Sequence, residues 1–240
     1  MIVSKPTRAP FSLCLSLLVL CVSPAVGEII HYDASVLPND PSIAGTFSYF
    51  KSPDASWSTD GSILTLTPEN SLSDVWFGWS DFPTHGGTPN WTFAPNDLGN
   101  KVTLTCKVSP GSEYFTVGFD DGSHQASMNI KDGSVRLTSP SGTLTSVPLD
   151  TTVFHTYSIL SVNNTTTYFV DGTSYAGGST ALANPYLYIG DFGGNPGGSM
   201  YVGDVTIFTE VPEPSTIALF SLLALIGGAV AWRKGRGCNR

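Results

Sequence analysis

Apolar and polar residues alternate with a period of two along most of the middle of this chain. Only a β-strand puts every second side chain on one face. KVTLTCKV (101–108) is the plainest case: Val102, Leu104, Cys106 and Val108 share one side, and Lys101, Thr103, Thr105 and Lys107 the other. The alternation recurs in SILTLT (62–67), DVWFGW (74–79), EYFTVGF (113–119), SMNI (127–130), SVRLTS (134–139), FHTYSIL (154–160), TTYFV (166–170), YLYIG (186–190) and YVGDVTIF (201–208). Asp60-Gly61, Asp121-Gly122, Asp132-Gly133, Asp171-Gly172 and a loop from Gly193 to Gly198 fall between them as turn signals. No amphipathic helix of four turns interrupts the pattern. Ten or more short strands predict an all-β fold, either a two-sheet antiparallel β-sandwich or a barrel.

The two ends follow other rules. Residues 1–10 carry Lys5 and Arg8 and no acid, and residues 11–22 (FSLCLSLLVLCV) are apolar. SPAVG (23–27) then ends in small residues, with Ala25 and Gly27 at a signal-peptidase spacing. Twelve apolar residues reach only ~18 Å as a helix, short of a ~30 Å hydrocarbon core. Residues 1–27 are therefore expected to be a cleaved signal peptide, with Glu28 first in the mature chain. Residues 216–232 hold no charge; as a helix they would reach ~25 Å, at the short end of a membrane span. Trp232 stands at the edge of this run, and Arg233, Lys234, Arg236 and Arg240 follow. The pattern predicts one transmembrane helix over about 216–232, with Arg233, Lys234 and Arg236 as a cytoplasmic basic stop and residues 28–210 outside.

Val211-Pro212-Glu213-Pro214-Ser215-Thr216, the apolar span and Arg233-Lys234 together resemble the PEP-CTERM sorting signal of exported bacterial proteins. The resemblance covers residues 211–236. It implies a membrane enzyme of the exosortase type, which cuts near Pro212-Glu213-Pro214 and passes the chain to the cell surface or extracellular matrix. It also implies a Gram-negative producer with an exopolysaccharide system. The chain then divides into a signal peptide (1–27), a β-domain (28–210) and a sorting segment (211–240).

Within 28–210, five Lys and Arg stand against eighteen Asp and Glu, a net charge of −13, compared with −8 for the whole chain. Such a surface repels nucleic acid and anionic lipid, so no nucleic-acid partner is expected. By the same reasoning an anionic polymer would need bridging cations, and solubility is the simplest use of the charge. Of the four cysteines only Cys106 lies in the domain, which excludes a disulfide within it. Its place beside Leu104 and Val108 predicts an inert buried thiol rather than a nucleophile.

The second half of the domain resembles laminin G-like and concanavalin A-like jelly rolls. The residues that carry the likeness are Tyr168, Val170, Asp171 and Gly172 at the end of a strand pair, Ile189-Gly190 on a later strand, and Asp204 and Phe208 on the last one. The resemblance spans about 155–208 and implies a jelly-roll sandwich whose final strand returns beside the first. HYDASVL (31–37) is expected to pair with that final strand and hide a sheet edge.

Catalytic chemistry is sparse. A retaining glycosidase needs two carboxylates ~5–5.5 Å apart. None of Glu28, Glu69, Glu113 and Glu210 has a second glutamate within four positions on its own strand. Hydrolase-elbow, His-Glu-x-x-His and phosphate-loop motifs are missing, and His31, His85, His124 and His155 are dispersed. No catalytic residue, metal site or cofactor is therefore assigned; a glycosidase or lyase on the same fold is the competing class. Asp120, Asp121, Asp171 and Asp191 offer loop oxygens of the kind that suits Ca²⁺, while Asp-Gly turns also have a structural reason of their own. Trp76 and Trp79 are an odd number apart, which predicts opposite faces, one in the core and one exposed where it could stack on a sugar. The Asn-x-Thr triplets at Asn90, Asn163 and Asn164 read as chance matches in a Thr-rich chain. The sequence thus describes an exported surface or matrix β-sandwich, with a binding or structural role in an exopolysaccharide setting.

Overall fold

The computed structural model describes residues 29–209, apart from 71–72, 81–84, 92–98, 123–124, 140–141, 163–164, 178–184 and 192–196. The expected signal peptide, the Pro212-Glu213-Pro214 motif, the span at 216–232 and the basic stop Arg233, Lys234 and Arg236 lie outside the described residues. So do His124, Asn163 and Asn164. Among the described residues, no helix is long and apolar enough to cross a membrane.

The described residues form an all-β sandwich of two antiparallel sheets. In chain order the strands are β1 (Ile29–Tyr32), β2 (Ser48–Lys51), β3 (Ser56–Thr59), β4 (Leu64–Thr67), β5 (Val75–Trp79), β6 (Asn100–Val108), β7 (Phe115–Asp120) and β8 (Gln125–Lys131). They continue with β9 (Ser134–Ser139), β10 (Gly142–Pro148), β11 (His155–Val162), β12 (Thr165–Val170), β13 (Thr173–Ala176), β14 (Tyr186–Asp191) and β15 (Met200–Thr209). Sheet 1 runs β13-β12-β11-β6-β15-β4-β3, and β1 also pairs with β15. Sheet 2 runs β10-β9-β8-β7-β14-β5-β2. Among the described residues, the one helical feature is a 3₁₀ turn at Pro41–Ile43, where Asp40 accepts from the Ser42 amide.

Alternation becomes burial wherever two sheets face each other. Val102, Leu104, Cys106 and Val108 of β6 join one core with Phe115, Val117 and Phe119 of β7 and with Leu187 and Ile189 of β14. Fully burying one such aliphatic or aromatic side chain contributes about 1.5–3 kcal/mol. Burial pushes the Cys106 thiol far up, which suits an inert packing residue. Tyr168 of sheet 1 donates its hydroxyl to the Thr138 carbonyl of sheet 2, tying the layers together.

The turns follow their chemistry. Asp171 (φ 48°) and Gly172 (φ 78°) both take left-handed conformations between β12 and β13, as a tight hairpin of the mirror-image type requires. Asp132-Gly133 joins β8 to β9 at the Lys131–Ser134 pair. The last strand does return beside the first, but over Ile29–Tyr32 rather than 31–37: His31 opposes Thr206 and Tyr32 opposes Val205. Beyond Tyr32 the chain leaves the sheet, and the Tyr32 hydroxyl donates to the Val36 carbonyl at 2.7 Å.

Candidate functional site

Sheet 2 buries Val75, Phe77, Phe115, Val117, Phe119, Met128, Ile130, Leu187 and Ile189 in the core, so the alternate residues of β5, β7, β8 and β14 face away from sheet 1. Strand register sorts these outward residues into rows. Gln125, Asp120 and Tyr186 form one. Thr138, Ser127, Gly118, Tyr188, Gly78 and Ser48 form the next. Arg136, Asn129, Thr116, Gly190, Trp76 and Phe50 form the third.

Glycine at the centre of these rows decides the surface. A Cβ at Gly118 would lie 2.2 Å from the Tyr188 ring, so the ring lies flat on bare backbone. Tyr186 stacks on Tyr188 with centroids 5.1 Å apart and planes 25° from parallel. The Gln125 amide donates to the Tyr186 hydroxyl at 2.6 Å, fixing that ring. Burial pushes both tyrosine hydroxyls upward, so they are protonated at neutral pH. Beside this aromatic platform, Thr116 donates to Asn129 at 2.8 Å, and the Ser127 and Thr138 hydroxyls lie 2.5 Å apart. The face therefore offers flat apolar rings beside amides and hydroxyls held in fixed orientation.

The two tryptophans do point to opposite faces. Trp79 packs against the core and donates its indole N–H to the Trp91 carbonyl at 2.9 Å. Trp76 lies on the outer side but is only 2% exposed, contrary to the expectation of a solvent-facing ring. His85 stands edge-on to it at 4.6 Å and 83°, and partial burial lowers the His85 pKa, favouring the neutral ring. A segment that follows β5 in sequence thus roofs this tryptophan.

Of the four aspartates considered for Ca²⁺, Asp120 and Asp121 are adjacent in the chain, and Asp191 is held apart from them. Asp120 and Asp191 oppose Tyr186 and Val75, which puts them at opposite ends of β14, about 17 Å apart along the strand. Asp121 accepts from Asn100 at 3.1 Å. Asp171 accepts from the Thr156 amide at 2.9 Å and contacts His155 at 2.6 Å. Among the described residues, no three His, Cys, Asp or Glu gather as a metal-binding group.

Residues 210–236 match the PEP-CTERM protein-sorting motif. The motif marks an exported chain, and it accounts for the tail alone. No curated protein matches the sequence. The fold is similar to that of a protein of unknown function from Shewanella oneidensis MR-1, at 13% identity and a TM-score of 0.54, over 88% of this chain and 99% of that one. It is also similar to Crh5 transglycosylase, solved with NAG and in the apo form, at 16% identity and TM-scores of 0.52 and 0.51, over 77% of this chain and 85% of that one. These likenesses show a shared β-sandwich fold and nothing about activity.

Sequence reasoning overlooked the outer face of sheet 2. Its signal was present: Gln125, Ser127 and Asn129, and likewise Tyr186, Tyr188 and Gly190, occupy alternate positions on one side of their strands.

Proposed function

We propose that the protein is exported behind a signal peptide (1–27), held in the membrane by a span at about 216–232, and released by an exosortase-type enzyme that reads Pro212-Glu213-Pro214. Its domain (28–210) then serves at the cell surface or in the matrix as a carbohydrate-binding module, with exopolysaccharide as the partner class. The PEP-CTERM motif supports export. One observation carries the binding role: the Tyr186–Tyr188 platform on the glycine column of sheet 2, flanked by oriented amides and hydroxyls. Pyranose rings present C–H faces that stack on aromatic rings, and hydroxyls that pair with amides.

The alternative is a carbohydrate-active enzyme, since Crh5 transglycosylase shares the sandwich. Among the described strand residues facing outward on sheet 2, Asp120 is the one carboxylate, and it is 0% exposed. A sealed single carboxylate is a poor match to a pair that must reach a glycosidic bond. Glycan-array binding followed by product analysis tests the proposal. The wild type should retain polysaccharide and release no oligosaccharide, and Tyr188→Ala should lose retention. Absence of binding to every glycan, or steady product release, would overturn it.

A further inference from the structure

Charge is distributed unevenly over this acidic domain. Asp33, Asp40, Asp60 and Asp150 lie outside the strands and accept from amides two positions further on, at 3.0, 2.8, 2.9 and 3.1 Å. The outward strand positions of sheet 2 are different. Their one carboxylate among the described residues, Asp120, is buried, and they carry two of the domain's five cations, Lys131 and Arg136. This face opposes in sign the net −13 of the domain.

Both cations close on one ring. The Arg136 guanidinium carbon lies 4.6 Å from the Tyr114 centroid, and the Lys131 ammonium 5.2 Å. Arg136 Nη2 also donates to the Tyr114 hydroxyl at 2.5 Å. The ion pairs seen among the described residues, His31–Asp204 and His155–Asp171, involve neither cation. Of the carboxylates near in sequence, Asp132 accepts from the Gly111 amide at 2.8 Å, and Glu113 is exposed. Two like charges against one ring repel each other, and an anion between them relieves that repulsion. Arg136 spends one of its five N–H donors on Tyr114, leaving the rest of its planar fork for a carboxylate.

We infer that the Tyr114–Lys131–Arg136 corner takes the carboxylate of an acidic sugar, of uronate type, within a glycan lying across the Tyr186–Tyr188 platform. The inference rests on the glycan-binding reading of this face and adds the substrate class. Arg136 and Tyr188 are three strand spacings apart, about 14 Å, so an oligosaccharide rather than a single sugar engages both. Lys131 adds a point charge, and Tyr114 positions both cations. An anionic glycan then needs no bridging cation, although the net charge of the domain suggests otherwise.

The test is calorimetric titration of the full-length chain in detergent, with and without EDTA. The probes are an oligouronate, its carboxyl-reduced counterpart of equal length, and polyglutamate. The oligouronate should bind about tenfold tighter than the reduced form, as expected for one charge-assisted contact. Arg136→Gln should erase that preference while leaving the affinity for the reduced form in place, and Arg136→Lys should restore part of it. Equal affinity for the two oligosaccharides would overturn the inference and leave glycan binding standing; binding of neither would overturn both. A preference that EDTA abolishes, or polyglutamate bound as tightly as the oligouronate, would also overturn it. Should Arg136→Gln fail to fold by its thermal melt, Lys131→Gln supports the same comparison, with a smaller expected loss.

Discussion

Replacing Gly118 by alanine is the sharpest single test of the proposed face. The backbone there lies outside the left-handed region, so an L side chain is not strained by φ. Space decides the outcome. The new Cβ would sit 2.2, 2.5 and 2.7 Å from Cζ, Cε1 and Cε2 of Tyr188. Carbon atoms in good contact stand about 3.5–4.0 Å apart, so the ring must withdraw by more than about 1 Å. That motion breaks the stack with Tyr186 and the edge contact with Trp76 at 6.5 Å. Overpacking of this kind costs about 1–3 kcal/mol. At about 2–4 °C per kcal/mol for a domain of this size, Tm should fall by roughly 2–12 °C. Glycan affinity should fall at least about threefold, the equivalent of one lost aromatic contact. Gly203→Ala on sheet 1 is the control, because its Cβ would meet only ordinary contacts at 3.8 Å. Differential scanning calorimetry and glycan titration read the two effects. An unchanged Tm together with unchanged affinity in Gly118→Ala would refute a Tyr188 ring lying on bare backbone.

Three further outcomes are expected. Cys106 should resist iodoacetamide in the folded chain and react once denaturant is added, and Cys106→Ala should cost only about 1 kcal/mol; rapid native labelling would contradict its burial. Hydrogen bonds from the Ser62 and Ile63 amides and the Ser62 hydroxyl hold the Asp60 carboxyl below its ordinary value. Its stabilising effect is therefore present above the ordinary aspartate range and lost as pH falls through the lowered value. Tm should drop on acidification below about pH 4, and less steeply in Asp60→Asn; equal slopes would refute the contribution. Changing Pro212, Glu213 and Pro214 to alanine should leave the chain membrane-inserted but uncut, whereas mass spectrometry of the wild type should find a C-terminus near residues 211–216. Unchanged release would show that the processing enzyme reads something else.

The ten strands that the alternation reveals all have neighbours on both sides. The five that it misses are β1, which pairs with β15 alone, and β2, β3, β10 and β13, which end the strand orders of the two sheets. SWST and TSYA carry one large side chain each, and GTLTSVP is half exposed along most of its length. An edge strand is stabilised largely by backbone pairing with one neighbour, so its residues need not follow a strict period. Trp76 shows a related limit. Its face follows from the spacing to Trp79, but its 2% exposure depends on His85 folding back over the sheet.

From its own residues the chain determines the all-β class, the hairpin turns at Asp132-Gly133 and Asp171-Gly172, the buried thiol of Cys106 and the sorting motif of the tail. Each is a local property, set by side-chain period, backbone conformation or a contiguous motif. The tertiary structure alone decides that Gln125, Asp120 and Tyr186 share a row, that Tyr188 covers Gly118, and that Lys131 and Arg136 meet on Tyr114. Those neighbours lie up to 70 positions apart in the chain, as Gly118 and Tyr188 do, and only strand order and register, set by how the two sheets bury their inner faces, bring them together.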